Sequence, residues 1–319
     1  MKSTNEWDPL KKVIVGVADY ARIPEMDKSL RHINYADRQD VSDVISGLYP
    51  KQVIDEANED LENFVNFLKV CGVEVVRPHP EPTGYYNFCP RDLVVVHGET
   101  EIAAPMPLKA RQYNFGSIAH YFNYLTPVTC TYNDALYNEN CIGDKDTLAL
   151  TEYEPAFDAA NIIRANDQIL YLLSNSGNRK GAQKLQTLLP ETQVHLLEGV
   201  YSYMHIDTTV AFLREGLLLA NPERIKDRDV LPGPFKDWDI IWCPEPVDIG
   251  HYPGYNNAST WINMNLFSIN PNLVALEMNQ EPTRKVLEQH GIECAMLPMR
   301  HSRTLSGCFH CVTLDLERG

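Results

Sequence analysis

The sequence predicts an α/β protein built from several similar units. Strand-like apolar runs recur along the 319 residues, most of them end in Gly, Pro or Asn, and segments with helical periodicity lie between them. Helices followed by strands, next to pairs of adjacent strands, are typical of α/β folds. No clean sequence repeat is visible, so the units are predicted from the order of the elements alone.

Three helices are predicted from the spacing of apolar residues. They cover residues 50–71, 179–189 and 282–290. In the first helix, Val53, Ala57 and Leu61 follow helical steps while acidic residues occupy the other face, which is the pattern of a helix packed on a surface. The second and third helices each end near a Gly or Pro and are followed by a predicted strand. This strand begins near Val194 after the second helix and near Ile292 after the third.

Ten strands are predicted from short apolar runs rich in β-branched residues. They lie at residues 13–15, 73–76, 93–96, 169–173, 194–197, 209–213, 217–219, 240–242, 273–276 and 312–316.

Composition and charge exclude several classes of protein. With 44% hydrophobic and 22% charged residues, the chain is neither disordered, nor a collagen, nor a coiled coil. The chain carries 28 Lys and Arg against 43 Asp and Glu, a formal net charge of −15, so no diffuse basic surface is available for nucleic acid or an anionic membrane. A small cationic substrate is compatible with this field, and so is acidity that serves solubility alone.

The chain shows no targeting, membrane or linker signal. The N-terminus lacks the continuous apolar region of a signal peptide, and no apolar run approaches the roughly 20 residues of a membrane span. The eight cysteines are scattered, which favours free thiols. We therefore expect a cytoplasmic protein whose residues 1–319 form one domain.

The first segment with candidate catalytic residues is HID at residues 205–207, at the head of a predicted strand. Strand geometry sends residues i and i+2 to one face, so His205 and Asp207 are predicted to project side by side. A base and a carboxylate would then share one pocket wall. A surface pair on a half-exposed strand is the alternative interpretation.

The second segment is SGCFHC at residues 306–311, which leads into the last predicted strand. A cysteine at the mouth of a strand, after a turn that contains Gly, is well placed to present a thiolate. A redox or zinc function of Cys308 and Cys311 is poorly supported, because no helix follows and no second ligand pair has the usual spacing. A further alternative is that both cysteines are inert, half-buried thiols.

The third and fourth segments contain Asp92, just before a predicted strand, and Asp158, after an acidic turn. Alone, each is typical of a turn or capping residue. Together with His205, Asp207 and Cys311 they supply the parts for covalent attack on a cation, namely carboxylates, an imidazole and a thiol.

Seven motifs occur in order over nearly the whole chain. They are NEWDPL at 5–10 with VIVG at 13–16, CPRD at 89–92, AAPM at 103–106, FDAA at 157–160, HID at 205–207, NPER at 221–224 and FHC at 309–311. These motifs resemble those of the L-arginine amidinotransferases. The resemblance implies the fold of the guanidine-modifying superfamily, a five-bladed α/β propeller of ββαβ units around a central channel.

Further motifs are similar to the inosamine-phosphate branch of this family. They are FDAAN at 157–161, SNSGN at 174–178, VDIG at 247–250 and HSRTL at 301–305. Two departures bear on function. Cys308 stands where relatives usually have Gly, which would alter the nucleophile turn, and the segment between Pro78 and Tyr86 is shorter, which would reshape the entrance for the acceptor.

The resemblance implies a role for each catalytic residue. Cys311 is the expected nucleophile, His205 the expected acid and base, and Asp158 the carboxylate that orients His205. Asp92 and Asp207 are expected to clamp the guanidinium of L-arginine by charge-assisted hydrogen bonds. No metal or organic cofactor is implied, because the amidino-cysteine intermediate holds the only group in transit.

Four further residues are expected to contact substrate. Arg224 and Ser259 are carried over as the site of the arginine α-carboxylate, with Tyr86 positioning the same ligand. Alternatives are a surface loop residue for Arg224 and ordinary packing for Ser259 and Tyr86. Met204 belongs to a loop, residues 201–204, that directly precedes His205 and is expected to border the acceptor pocket.

Three functions remain open from sequence. An amidinotransferase that joins L-arginine to a primary amine acceptor, inosamine-phosphate-like or otherwise bulky, is the favoured one. An arginine deiminase would use the same residues with water as acceptor. A silent arginine-binding relative would result if Cys308 and Cys311 formed a strained disulfide or the turn were misplaced. The sequence leaves open whether the protein forms a homodimer.

Overall fold

Five small sheets with one strand pattern form the frame of the molecule. The structure is a computed structural model that describes residues 2–80, 82, 85–201 and 203–319. Within these residues, each of the five sheets has three strands, and its middle strand is antiparallel to one neighbour and parallel to the other. The predicted α/β fold class of five repeated units is confirmed.

The strands have the following bounds: β1 (Leu10–Val15), β2 (Arg22–Ile23), β3 (Gly47–Leu48), β4 (Glu74–Val76), β5 (Val94–His97), β6 (Thr100–Ala103), β7 (Leu125–Pro127), β8 (Ile162–Ala165), β9 (Gln168–Leu172), β10 (Gln193–Leu197), β11 (Val210–Arg214), β12 (Leu217–Ala220), β13 (Asp239–Trp242), β14 (Phe267–Asn270), β15 (Leu273–Glu277), β16 (Glu293–Leu297) and β17 (Thr313–Arg318). The α-helices are α1 (Lys28–Ile33), α2 (Lys51–Val70), α3 (Arg179–Leu188), α4 (Glu281–Gln289) and α5 (Ser302–Leu305).

Two of the units contain a complete ββαβ pattern. In the third sheet, β8 and β9 form a hairpin and α3 returns the chain so that β10 pairs in parallel with β9. The side chain of Asn178 caps α3 by accepting a hydrogen bond from the Gly181 N–H. In the fifth sheet, α4 links β15 to β16 in the same way. Short 3₁₀ helices occupy the helical position in the second and fourth sheets.

The last strand joins the two ends of the chain. Strand β17 pairs antiparallel with β1, and β4 pairs in parallel with the other edge of β1. Helix α2 packs beside β4, and its apolar face, which includes Val53, Leu61 and Phe64, is buried. The first sheet is therefore assembled from both termini, which closes the series of five units.

The turn before the first strand of each sheet has the same place in every unit. Four of these turns contain 3₁₀ helices that lead into β5, β8, β11 and β14, namely Pro90–Asp92, Ala159–Asn161, Ile206–Thr208 and Thr260–Met264. The fifth turn, at residues 309–312, leads into β17. Each of the five turns carries or adjoins a polar residue of the site described below.

All ten predicted strands and all three predicted helices are present, with ends that differ by a few residues. Several short strands were missed, among them β6, β8 and β14. Strand β8 carries Arg164, which is 3% exposed, so a buried charge interrupts the apolar run that would have predicted the strand. No helix in the described part of the chain is both long and apolar enough to cross a membrane.

A buried ion network lies where β17 meets the other units. Arg164 binds Glu6 through two hydrogen bonds of 2.7 and 3.0 Å and donates to Asp315 at 2.6 Å. Asp315 also accepts hydrogen bonds from Arg91 at 2.7 Å and from Arg318 at 2.9 Å. Burial raises the pKa of Asp315, but the three guanidinium groups outweigh it and hold that pKa well below its ordinary value.

We predict that Asp315→Asn lowers the free energy of unfolding by about 3–5 kcal/mol, because removing one partner leaves buried arginines without their counter-charge. The measurement is a urea unfolding curve at neutral pH.

Glu198→Gln is the control, since Glu198 forms a half-exposed ion pair with Arg179. It should cost less than about 1 kcal/mol. Equal small losses in both variants would contradict the importance of the buried network.

Candidate active site

A large cavity collects most of the residues singled out from sequence. Its volume is about 890 Å³, within the range of small-molecule sites. The residues of its wall that the sequence analysis also named are Tyr86, Asp92, Met204, His205, Asp207, Arg224, Ser259 and Cys311. Asp158 is fully buried and lies behind His205. The structure therefore brings the predicted set together.

Cys311 lies in the turn before β17, as predicted. Its sulfur donates to Asp207 Oδ2 at 3.3 Å, and the residue is 3% exposed. Gly307 belongs to the same turn, and a Cβ atom there would lie 2.8 Å from the Cys89 sulfur and 3.3 Å from Cys311 Cβ. A larger residue at 307 would displace Cys311 or Cys89.

The thiol of Cys89, from the turn before β5, faces the Cys311 thiol. The hydrogen bond that the Cys311 S–H donates to Cys89, then burial, then the charge of Asp207 raise the pKa of Cys311 well above its ordinary value. Burial also raises the pKa of Cys89. Without ligand, Cys311 is therefore a thiol at neutral pH, and a cation is needed beside it to favour the thiolate. Cys89 belongs to the CPRD motif at 89–92, but no role was predicted for its thiol.

His205 lies between two carboxylates. Its Nε2 is 2.9 Å from Asp158 Oδ2, and its Nδ1 is 3.5 Å from Asp92 Oδ1. Burial lowers the pKa of His205, but Asp92 and Asp158 outweigh it, and the pKa lies above its ordinary value. The protonated imidazole is thus favoured, which suits a general acid.

The predicted strand geometry at His205 and Asp207 is wrong. Residues 206–208 form a 3₁₀ turn, and β11 starts only at Val210. The two side chains consequently have different partners, since Asp207 Oδ2 binds His310 Nδ1 at 3.0 Å rather than lying beside His205. Both still line the cavity, while Ile206 between them points into a hydrophobic core.

Asp207 stays ionised. Burial raises the pKa of Asp207, but the hydrogen bond and charge of His310 outweigh it, and the pKa falls to about 2. Its carboxylate therefore provides a fixed negative charge next to the Cys311 sulfur.

Arg111 is the principal residue that the sequence did not reveal. It lies in the 3₁₀ helix Lys109–Ser117, is 6% exposed, and forms ion pairs with Asp92, at 3.1 Å, and with Asp158. Its Nη1 is also 3.5 Å from His205 Nε2. A lone arginine in an irregular segment carries no periodic or motif signal. Arg111 offsets part of the negative charge that burial concentrates here.

Among the described residues, three buried polar atoms of the cavity wall have no hydrogen-bond partner. They are Asn34 Oδ1, Asp92 Oδ1 and the Tyr86 hydroxyl. Buried polar atoms are normally paired, so these atoms are free for a ligand. A carboxylate oxygen left open in this way fits a cationic donor such as a guanidinium.

Arg224 lies at another part of the wall. Its Nη1 donates to the Thr208 carbonyl and hydroxyl at 2.7 Å each, and its guanidinium stacks on the Tyr201 ring at 3.8 Å. Burial lowers its pKa below the ordinary value. Ser259 and Met204 line the same cavity. A carboxylate at this position would meet an oriented guanidinium.

Two of the expectations fall partly on residues that the structure does not describe. Residues 81, 83 and 84 of the segment between Pro78 and Tyr86, and residue 202 of the loop before His205, lie outside the described residues. Cys308 and Cys311 are both described, and both are free thiols rather than a disulfide.

Comparison with known proteins gives close and nearly complete matches, although no protein-family model matches the sequence. Inosamine-phosphate amidinotransferase 1 of Streptomyces glaucescens is 39% identical, covering 98% of this chain and 95% of the relative. An L-arginine:L-lysine amidinotransferase of Pseudomonas savastanoi pv. phaseolicola is 32% identical, covering 99% and 94%. The solved inosamine-phosphate amidinotransferase of Streptomyces griseus is 36% identical with a TM-score of 0.94, covering 99% of this chain and 96% of that one.

We predict that Cys89→Ala lowers the pKa of the Cys311 thiol toward the ordinary value of about 8.5, because the hydrogen bond that raises it is lost. The measurement is the rate of Cys311 alkylation by iodoacetamide against pH, followed by mass spectrometry of the peptide.

Cys243→Ala is the matched control, because Cys243 is equally buried but belongs to another core cluster. It should leave the profile unchanged. An unchanged or higher pKa in Cys89→Ala would show that the two thiols are not coupled as described.

Proposed function

Since this chain belongs to the amidinotransferase family, we propose that it transfers the amidino group of L-arginine to a primary amine and releases L-ornithine. The observation that carries the proposal is the grouping of a buried thiol, an imidazole and three carboxylates, those of Asp92, Asp158 and Asp207, around one cavity. This set can bind a cation, attack it covalently and move protons.

The guanidinium of arginine is a poor electrophile because it is delocalised and always charged. We propose that Asp92 and Asp207 bind it through charge-assisted hydrogen bonds. Asp92 Oδ1 is buried and accepts no hydrogen bond from the described residues, with His205 Nδ1 at 3.5 Å as its charged neighbour, and Asp207 remains ionised, so both can accept. The bound cation then lies beside the Cys311 sulfur and favours the thiolate, so the substrate assists its own attack.

The transfer takes place in two halves. Cys311 attacks as the thiolate, its proton having passed to solvent, and an S–C bond forms at the guanidinium carbon. His205 then protonates the ornithine nitrogen as the C–N bond breaks. The acceptor amine then attacks the amidino-cysteine, its proton passes to His205, and the sulfur leaves as a thiolate. Asp158 orients His205 and stabilises the imidazolium, with a hydrogen bond of 2.9 Å in support.

Arg224 and Ser259 are proposed to hold the α-carboxylate of arginine, and Tyr86 to position the same ligand. Arg224 is anchored by Thr208 and by stacking on Tyr201, which leaves its charge available to a ligand at the wall. A planar, oriented guanidinium is the usual partner for bidentate binding of a carboxylate.

For the acceptor we propose a bulky amine that resembles inosamine phosphate. The cavity of about 890 Å³ extends beyond the reacting groups to a wall that includes Tyr35, Asp37, Arg38 and Tyr203. Relatives named for inosamine phosphate and for lysine are similar in sequence to this chain over nearly their full length. Met204, which precedes His205 in the chain, lines the same cavity, and we propose that its side chain limits the shape of the acceptor.

We also propose that residues 1–319 act as one catalytic domain in the cytoplasm. The pairing of β17 with β1 joins the two ends of the chain, which supports a single unit. All eight cysteines are free, and a catalytic thiol of this kind stays reduced in a reducing compartment. A homodimer remains compatible with these features.

We predict that Cys311→Ala abolishes turnover while Cys308→Gly retains it, because the proposed carrier of the amidino group is the sulfur beside Asp207. Mass spectrometry of the protein mixed with arginine and quenched in acid should place the added amidino group on Cys311. Finding it on Cys308, which is fully buried and does not line the cavity, would overturn the assignment.

We predict further that arginine alone releases at most about one ornithine per active site, because the site must protect the amidino-cysteine from water until an amine enters. Adding a primary amine should restart turnover, with parallel double-reciprocal lines in initial-rate kinetics. The measurement is ornithine and citrulline by mass spectrometry.

The same assay ranks acceptors and tests the two alternatives. Cyclitol amines should react faster than glycine if the acceptor is bulky. Steady release of citrulline and ammonia without amine would show an arginine deiminase, and binding of arginine with no product at all would show a silent relative.

A further inference from the structure

Asn265 is a buried polar residue that neither the sequence nor the proposed mechanism accounts for. It directly follows the 3₁₀ helix Thr260–Met264 and is 1% exposed. Its side-chain oxygen accepts hydrogen bonds from the backbone N–H groups of His310 and Cys311, each at 3.0 Å. Asn265 therefore joins the fifth sheet to the turn that carries the nucleophile.

These two bonds fix the orientation of the amide. The oxygen and nitrogen atoms of an Asn amide are usually difficult to tell apart, so their assignment depends on their hydrogen-bond partners. Here a flipped amide would place its NH₂ group against two N–H donors and lose both hydrogen bonds. Nδ2 consequently faces the Cys311 sulfur, to which it donates at 3.3 Å.

The Cys311 sulfur therefore has one neighbour that opposes its ionisation and another that favours it. Asp207 Oδ2 lies 3.3 Å away, and its negative charge opposes ionisation of the thiol. The Asn265 N–H acts in the opposite sense, because a hydrogen bond to the charged form of a group stabilises that form.

The place of Asn265 in the fold supports the same role. Asp92, Asp207 and Cys311 come from the turns before β5, β11 and β17, and Asp158 comes from the turn before β8. Asn265 lies in the remaining turn of the series, before β14. The five equivalent turns thus converge on one sulfur and its substrate.

We propose, on the basis of the function proposed above, that Asn265 is a catalytic residue that donates a hydrogen bond to the Cys311 sulfur whenever the sulfur is anionic. It acts twice in each cycle. It stabilises the thiolate before the S–C bond forms, and it stabilises the same thiolate when the acceptor amine expels it and that bond breaks, with the electron pair returning to sulfur.

The test compares two asparagines in one turn. Asn265→Leu removes the donor without adding charge. Asn263→Leu is the matched control, because Asn263 is also 1% exposed and its bonds go to the Val247 carbonyl and the Ser302 hydroxyl, away from the sulfur. Both variants should lose stability, so unfolding curves are recorded for each.

The first readout is alkylation of Cys311 by iodoacetamide against pH, which needs no turnover. In Asn265→Leu we expect the pKa of Cys311 to rise by about one to two units relative to native protein, the equivalent of one hydrogen bond to a charged group. Asn263→Leu should keep the native profile. An unchanged profile in Asn265→Leu would overturn the proposal.

The second readout separates chemistry from binding. With arginine and an amine acceptor, kcat should fall about 10²-fold in Asn265→Leu, as on loss of a donor to a reacting anion, while KM for arginine changes little. If Asn265→Leu does not fold, Asn265→Ala provides the same two readouts. An equal fall of kcat in the Asn263 variant would reduce Asn265 to a structural residue.

The two proposals fail in distinguishable ways. If native protein makes no ornithine from arginine while the alkylation contrast persists, the transferase function is wrong and the hydrogen bond to the thiolate stands. If ornithine forms normally and the contrast is missing, the role of Asn265 is wrong.

Discussion

The carboxylates of Asp92, Asp158 and Asp207 lie around the His205 imidazole and the Cys311 thiol in a buried site, and the other groups of the site compensate this concentration of negative charge. Burial makes such charge costly unless cations compensate it. Arg111 pairs with Asp92 and Asp158, and His310 binds Asp207. The remaining deficit favours a protonated His205 and a neutral Cys311 in the free enzyme, and it is the guanidinium of the substrate that completes the balance.

The fold makes this concentration possible by repetition. Each three-stranded sheet is entered through a turn, and the five turns meet at the cavity. Turns can hold side chains at one point from five directions, which no single strand or helix could do. Behind the turns, the ion network of Arg164, Glu6 and Asp315 ties β17, and therefore the nucleophile turn, to the N-terminal segment and β8. The network is thus a structural support of the site rather than a part of its chemistry.

How much of the fold and of the site could be predicted from the sequence depends on the kind of signal that each feature leaves there. Helix α2 was predictable because its apolar residues repeat every three or four positions, and strands such as β9 because they are continuous apolar runs. The grouping of His205, Asp207 and Cys311 followed from motif resemblance, but their local geometry did not, since a 3₁₀ turn replaces the predicted strand. The roles of Arg111 and Asn265 could not be predicted, because they depend on tertiary contacts. Arg111 contacts Asp158, which is 47 positions away, and Asn265 contacts Cys311, which is 46 positions away.

The central claim is that the free enzyme holds a Cys311 thiol which a bound guanidinium converts to a thiolate. The direct measurement is a titration of the ultraviolet absorbance of the thiolate in native protein, with and without methylguanidine, and with Cys311→Ser subtracted as the background. The account predicts a pKa well above the ordinary value in the free enzyme and a clear fall on binding, because the ligand charge offsets Asp207 and the loss of water. A thiolate already present at neutral pH without ligand, or a pKa that the ligand does not move, would contradict it.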